Sequence, residues 1–303
     1  MSSSLPDTLL VRPAREEDAE AVSELMAAAD VVVHGWSDAT ADEVRDWWRR
    51  NDPAENSWLV MEGGRPIAYG DFFEHGDRGE LDGYVHPDRK GEGLGSWLVT
   101  HAEERARGAG KRRLQTWCLA DDADARRLFE GRGFAEVRRY YRMLIELDGP
   151  PPLPEWPDGM RVATFREEDA RAFYDTITDA FAEEWNHVSD PFEQWREFRI
   201  HAPNFDPTLW FLVWDGAQVA AVLRDERRGE TGWVGAIGVR KRWRKRGLGL
   251  ALLHHAFGDW YRRGVTTVGL GVDAQNPTGA TRLYERAGMH AAYEAVAFET
   301  ALA

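Results

Sequence analysis

The stretch GVRKRWRKRGLGLALL, Gly238 to Leu253, decides how this chain is read. On its left, an apolar run from Thr231 to Val239 reads as a strand. On its right, Leu248, Leu252, Ala256 and Trp260 recur every four residues, as the buried stripe of a helix does. Arg262, Arg263 and Gly264 then suit a helix C-terminus. Between strand and helix lie Arg240, Lys241, Arg242, Arg244, Lys245 and Arg246. The first amides of a helix lack internal partners and carry the positive end of its dipole, so they bind phosphate oxygens. Gly247 and Gly249 let backbone come close to such a ligand. No Lys-Ser or Lys-Thr pair follows the last glycine, and the spacing is not that of a dinucleotide fingerprint. A basic run alone also fits a solvated face, a localisation signal or a nucleic-acid patch. Its place between a strand and a glycine-started helix points to one bound phosphate group.

Working outward, the chain repeats itself. REEDA occurs at Arg15–Ala19 and at Arg166–Ala170, GLG at Gly93–Gly95 and at Gly247–Gly249. RLFEGRGF (Arg127–Phe134) matches RLYERAGM (Arg282–Met289). The order is kept and the offsets are nearly constant, which indicates a duplicated domain. DGPPPLPEWPDG, Asp148–Gly159, holds five prolines and cannot continue a helix or a central strand. The organisation expected is therefore 1–147, a linker at 148–159, and 160–303. Each half reads as an extended start, two helical stretches, three short strands, a long helix from GLG, a strand, a helix and a closing strand. This is an α/β (α+β) pattern, twice.

With 303 residues, two domains fit better than one core. The formal net charge of −14 disfavours a general nucleic-acid or membrane surface. No window is long and apolar enough for a membrane span. The single cysteine, Cys118, allows no intrachain disulfide and no cysteine zinc site, and no metal is expected. Cys118 alone and an N-terminus without a basic, then apolar, leader point to a cytoplasmic protein.

The residues Arg244, Lys245, Arg246, Gly247, Leu248, Gly249 resemble the Arg/Gln-x-x-Gly-x-Gly/Ala motif of the GNAT acetyltransferase superfamily. GVDAQNPTGATRLYERAGM, Gly271–Met289, is similar to that family's next segment: an asparagine, a helix carrying Leu-Tyr, then Gly-hydrophobic. The resemblance covers Met160 to the C-terminus well and Leu9–Leu147 more loosely. It implies two tandem domains, each a mixed, mostly antiparallel seven-stranded sheet flanked by helices and splayed where acetyl-CoA enters. By position, the Ile237 amide would polarise the thioester carbonyl and Val239 would pair with the pantetheine arm. Residues 244 to 250, through Leu250, would wrap the pyrophosphate, and Asn276 would touch the cofactor. Asn276 before Pro277 also reads as a helix N-cap. The implied activity is acetyl transfer from acetyl-CoA to the primary amine of a small molecule or peptide. Tandem chains of this length include mycothiol synthases, which acetylate the cysteinyl amine of a sugar-linked thiol precursor. That chemistry and non-catalytic acetyl-CoA sensing are the alternatives.

Acetyl transfer needs a neutral amine, a donor for the developing oxyanion and a proton for the leaving thiolate. In this family the tyrosine at the position of Tyr284 often supplies that proton, and a phenol with a pKa near ~10 is protonated at neutral pH. The first copy has Phe129 there. Its loop, VHPDRKGEGLGSWLV, offers a possible second cofactor site at Val85, Lys90, Gly91, Gly93 and Gly95. Glu92 and the pair Asp121, Asp122 weaken its charge. This copy is expected to be structural or to bind acetyl-CoA without turnover. The segment FAEEWNHVSDPFEQWREF, Phe181–Phe198, falls on the acceptor side, where Glu183 and Glu184 would suit a cationic amine; it also reads as a surface amphipathic helix. Asp225 and Glu226 are possible bases, although RDERRGE looks like a solvated hairpin.

Overall fold

The computed structural model describes residues 5–37, 39–202 and 204–302. In the first half the elements are β1 (Leu10–Arg12), α1 (Ala19–His34), α2 (Ala41–Arg50), α3 (Pro53–Asn56), β2 (Ser57–Glu62), β3 (Arg65–His75), β4 (Arg78–Val85), α4 (Leu94–Gly108), β5 (Arg113–Leu119), α5 (Ala123–Gly131) and β6 (Ala135–Glu146). The second half holds β7 (Met160–Thr164), α6 (Ala170–Phe181), α7 (Phe192–Arg199), β8 (Trp210–Asp215), β9 (Gln218–Arg228), β10 (Thr231–Val239), α8 (Leu248–Arg262), β11 (Thr267–Asp273), α9 (Ala280–Arg286) and β12 (His290–Ala301). The fold class is the one expected. No helix among the described residues is long and apolar enough to cross a membrane.

The chain forms two compact units, residues 1–139 with 293–303, and residues 140–292. In the first, the strand order is β1-β2-β3-β4-β5-β12; in the second it is β7-β8-β9-β10-β11-β6. Each sheet thus has six strands among the described residues, not seven, because each repeat ends with one long strand after its last helix. The units also differ from the sequence repeats at their ends. Residues 140–146 of β6 pair with β11, and residues 295–301 of β12 pair with β5. Each closing strand completes the sheet of the other repeat's unit, a long-range pairing that local sequence patterns do not carry.

In both sheets the neighbours are antiparallel except at one seam. β4 runs parallel to β5 only over Arg78–Leu81, and β10 parallel to β11 only over Gly232–Trp233. Beyond those residues the strands part, leaving a notch in each sheet. The stripe on α8 is buried as its period requires, with Leu248, Leu252, Ala256 and Trp260 all at 1% exposure or less. Trp260 donates its indole N–H to Asp225 at 2.8 Å. Asp225 is therefore not in a solvated hairpin: β9 continues to Arg228 and Asp225 is 2% exposed. Burial pushes its pKa well above the usual carboxylate range.

Phe298 belongs to the second repeat, yet it is fully buried in the first unit's core and packs on Phe129 at 5.5 Å between ring centroids. Phe298→Ala is expected to cost about 3–5 kcal/mol. Hydrogen exchange should register that loss in β5 and α5, with β8 and β9 keeping their protection.

Candidate active site

The site in the second unit begins with backbone. The Arg240 amide bonds to the Ala220 carbonyl at 3.0 Å. Antiparallel pairs alternate between bonded and unbonded. Stepping back along β10, Gly238 and Ala236 are therefore bonded to β9, while Ile237 and Val239 turn their amides the other way. That other edge is the notch from which β11 has departed. A bulge at Gly235, between Val234 and Ala236, sets this phase. No register shift occurs in the pairing of β3 with β4. The first copy turns Val85 toward its own notch without a bulge, since His86 N–H bonds Ile67 O at 2.9 Å.

The loop after β10 is built to expose amides. Lys245 has φ +62°, one of two non-glycine residues with positive φ among those described, and Gly247 has φ +86°. The first copy uses Gly91 and Gly93 at the matching places, with φ +84° and +86°. Strain of this kind gathers at functional sites. A Cβ on Gly247 would meet nothing within 4 Å, so the space before the α8 N-terminus is open. Gly249 has a different duty: a Cβ there would lie 2.8 Å from Leu283, so the residue must be small for α8 to pack on α9. Leu248 is buried in the core, and Leu250 is half-buried. These two contribute main chain to the loop, not side-chain contacts.

The charges divide. Arg244 is spent inside the protein: it bonds Glu183 at 2.7 Å, Val239 O at 3.1 Å and Ala180 O at 3.2 Å. It braces the loop against the end of α6. Lys241 also holds Glu183, at 2.7 Å. These two cations keep Glu183 down at about 2. Lys245 and Arg246 are exposed and form no ion pair among the described residues, so their charge faces outward. In the first copy Gly91 and Glu92 stand where Lys245 and Arg246 do, and the loop's own cations are paired. Lys90 pairs with Asp122 at 3.0 Å, and Arg89 pairs with Glu62 and, at 2.7 Å, with Glu92. Asp122 also caps α5. Gly95 packs against Leu128 as Gly249 does against Leu283.

Around the phenol, the structure gathers residues that the sequence left apart. Tyr284 is 7% exposed, and its hydroxyl makes no hydrogen bond among the described residues. Burial, and then the Glu184 carboxylate nearby, push its pKa further up, so it keeps its proton. Asn276 does not cap a helix, because α9 starts only at Ala280. It closes a turn, accepting from Thr278 N at 2.8 Å, and its Nδ2 donates to Glu184 at 3.2 Å. Burial, with the Asp273 carboxylate adding and the Asn276 bond opposing, pushes Glu184 up to about 7. The segment Phe181–Phe198 is no single helix: α6 ends at Phe181, and α7 starts at Phe192. In the loop between them, Glu183 and Glu184 part company, one to the basic loop and the other to Asn276. Phe129, 6% exposed, packs among Phe134 and Phe298.

Residues 19–134 and 164–289 each match the Acetyltransferase (GNAT) family. The chain belongs to that family. It is a tandem GNAT enzyme, an acyl-CoA N-acyltransferase of a family that uses acetyl-CoA. It is 31% identical over 251 residues to a mycothiol acetyltransferase of Thermobispora bispora, covering 79% of this chain and 82% of that one. A mycothiol acetyltransferase of Geodermatophilus obscurus is 30% identical over 78% of this chain and 83% of its own length. Among solved structures, a GCN5-related N-acetyltransferase from Sphaerobacter thermophilus superposes with TM-score 0.85 at 36% identity, covering 99% of this chain and 97% of that one. A tandem GNAT protein from the clavulanic acid biosynthesis pathway shares the fold at TM-score 0.77 and 17% identity, over 97% of this chain and 99% of its own.

An acetyl-CoA molecule fits what the second unit offers: a notch edged by free amides, open space at Gly247, and outward cations at Lys245 and Arg246. Gly247→Trp would fill that space, and any side chain at its φ is strained by about 1–2 kcal/mol. The variant is expected to fold with a lowered Tm and to lose the heat of acetyl-CoA binding to the second unit on calorimetric titration.

Proposed function

We propose that the second unit moves an acetyl group directly from acetyl-CoA to a primary amine of a small molecule or peptide, and that the first unit is catalytically silent. The observation that carries this reading is the trio Glu184, Asn276 and Tyr284 beside the notch. It combines a carboxylate with a pKa near neutrality and a protonated phenol with no hydrogen-bond partner among the described residues. The first copy has Phe129 and an internally paired loop instead.

Acetyl-CoA supplies the activated acyl group, bound through the loop amides of residues 245–250 with Lys245 and Arg246. Val239 offers its amide to the pantetheine arm, its carbonyl being taken by Arg244. The Ile237 amide points into the notch, where it can donate to the oxygen on which charge develops. Glu184 takes the proton from the attacking amine, directly or through water. Its raised pKa makes it a base strong enough for this near neutral pH. Tyr284 returns a proton to the departing sulfur. Asn276 orients Glu184 by its hydrogen bond.

A second reading, acetylation of a mycothiol precursor, is favoured by the similarity to two mycothiol acetyltransferases over most of this chain.

Tyr284→Phe is expected to lower kcat about tenfold or more, within the usual contribution of a general acid, with acetyl-CoA affinity unchanged by calorimetry. Unchanged turnover would leave Tyr284 with packing alone. For the base, the protonated form of Glu184 is inactive, so kcat/KM for the acceptor should rise with pH through about 7. Glu184→Gln should remove that inflection and lower the rate by roughly 100-fold, leaving only the rise due to the amine's own deprotonation.

A further inference from the structure

The notch opens onto one face of the second unit's sheet, and the charge on that face is divided. A Cβ on Gly232 would strike Trp260 of α8 at 2.8 Å, so Trp233, the next residue, points to the opposite face. A Cβ on Gly269 would strike the Trp233 ring at 2.8 Å, which puts Gly269 on that same face. Two residues along, Gly271 shares the face and has nothing within 4 Å of its Cβ position. This is open floor. Arg142 stands opposite Gly271 in the register, with its guanidinium 3.6 Å from the Trp233 ring centroid. Arg228 lies 4.4 Å from the same ring. Arg224 reaches the bulge: its Nη2 is 2.5 Å from where a Cβ on Gly235 would be, two residues before Ile237.

Glu226 joins two members of this group. Glu226 accepts from Arg224 at 2.8 Å and from Arg228 at 2.7 Å. Burial alone would raise its pKa, but Arg224 and Arg228 prevail and hold it at about 2. Arg224 thus gives Glu226 one Nη1 bond, and no other hydrogen bond of its guanidinium is made among the described residues. At the other end of the same strand face lies Asp273, with Glu184 close enough to feel its charge. The acceptor side therefore has carboxylates at the Tyr284 end and guanidiniums at the bulge end. The expectation that Glu183 and Glu184 would suit a cationic amine speaks to only one of these two ends.

We propose that the acceptor is an amino-acid-like zwitterion, its amine held toward Glu184 and its carboxylate received by Arg224 over the open floor at Gly271. This rests on the transferase reading above and names its substrate class. A guanidinium presents a planar fork that matches a carboxylate in two parallel hydrogen bonds. A neutral amine without an anion would leave Arg224 half-buried, with donors unspent and a solvent shell to lose for no return.

The test is a set of initial rates of CoA release with paired acceptors, each an α-amino acid and its primary amide. The acids are expected to be used at least tenfold better in kcat/KM. Arg224→Gln should raise KM for the acids by roughly ten- to a hundredfold, the range for a hydrogen bond to a charged group. It should leave kcat within a few-fold, erase the preference over the amides and keep acetyl-CoA affinity. Arg224→Lys should restore part of the preference. Gly271→Val, which adds a side chain where no described atom stands, should raise KM for the acids without changing acetyl-CoA affinity. Equal use of acids and amides, use of the amides alone, no turnover of any pair, or an equal loss for both in Arg224→Gln overturns the proposal. The transferase reading fails separately, if acetyl-CoA does not bind or if Gly247→Trp leaves its binding intact.

Discussion

The site depends on two strands that stop pairing. β10 and β11 share only Gly232–Trp233 with Val268–Gly269, and then diverge. An edge of sheet backbone is thereby left without a neighbour inside the protein, a costly state unless a ligand or water satisfies it. The Gly235 bulge sets which amides lie on that edge. A slip of one residue would present Ala236 and Gly238 instead and bury the two amides the chemistry requires.

The first repeat keeps the architecture of the second and differs from it in charge and in one hydroxyl. It retains the notch, both loop positions of positive φ and the close packing of its GLG helix on the next helix. What it lacks is electrostatic. Lys90 and Arg89 each find a carboxylate within their own unit, so no net charge is left for a phosphate. Phe129 fills the place of Tyr284 with equal burial and no proton to give. Holding the fold needs backbone geometry and apolar volume, and both copies keep these.

Sequence patterns reached far in this chain. The period on α8, the glycines of the loop and the tyrosine–phenylalanine contrast could all be read directly, because each is a local property of a few neighbouring residues. Charge partners could not. Arg244 stands in the motif, yet its guanidinium is turned inward to Glu183, 61 residues away in the chain. Asp225 and Glu226 look alike in RDERRGE, but strand alternation buries one under Trp260 and sets the other between two arginines. Glu183 and Glu184 are likewise adjacent and similar, and diverge because successive side chains at the end of α6 point in different directions.

The sequence by itself determined that the chain is a tandem α/β repeat, where the basic, glycine-started loop lies, and which copy carries a phenol. These follow from periodicity, glycine placement and side-chain identity. The tertiary structure alone decided that β6 and β12 each complete the other repeat's sheet, which amides edge the notch, and which of the many charged residues remain turned toward a ligand. Each of these depends on strand register or on contacts between residues far apart in the chain, and neither leaves a local periodic trace.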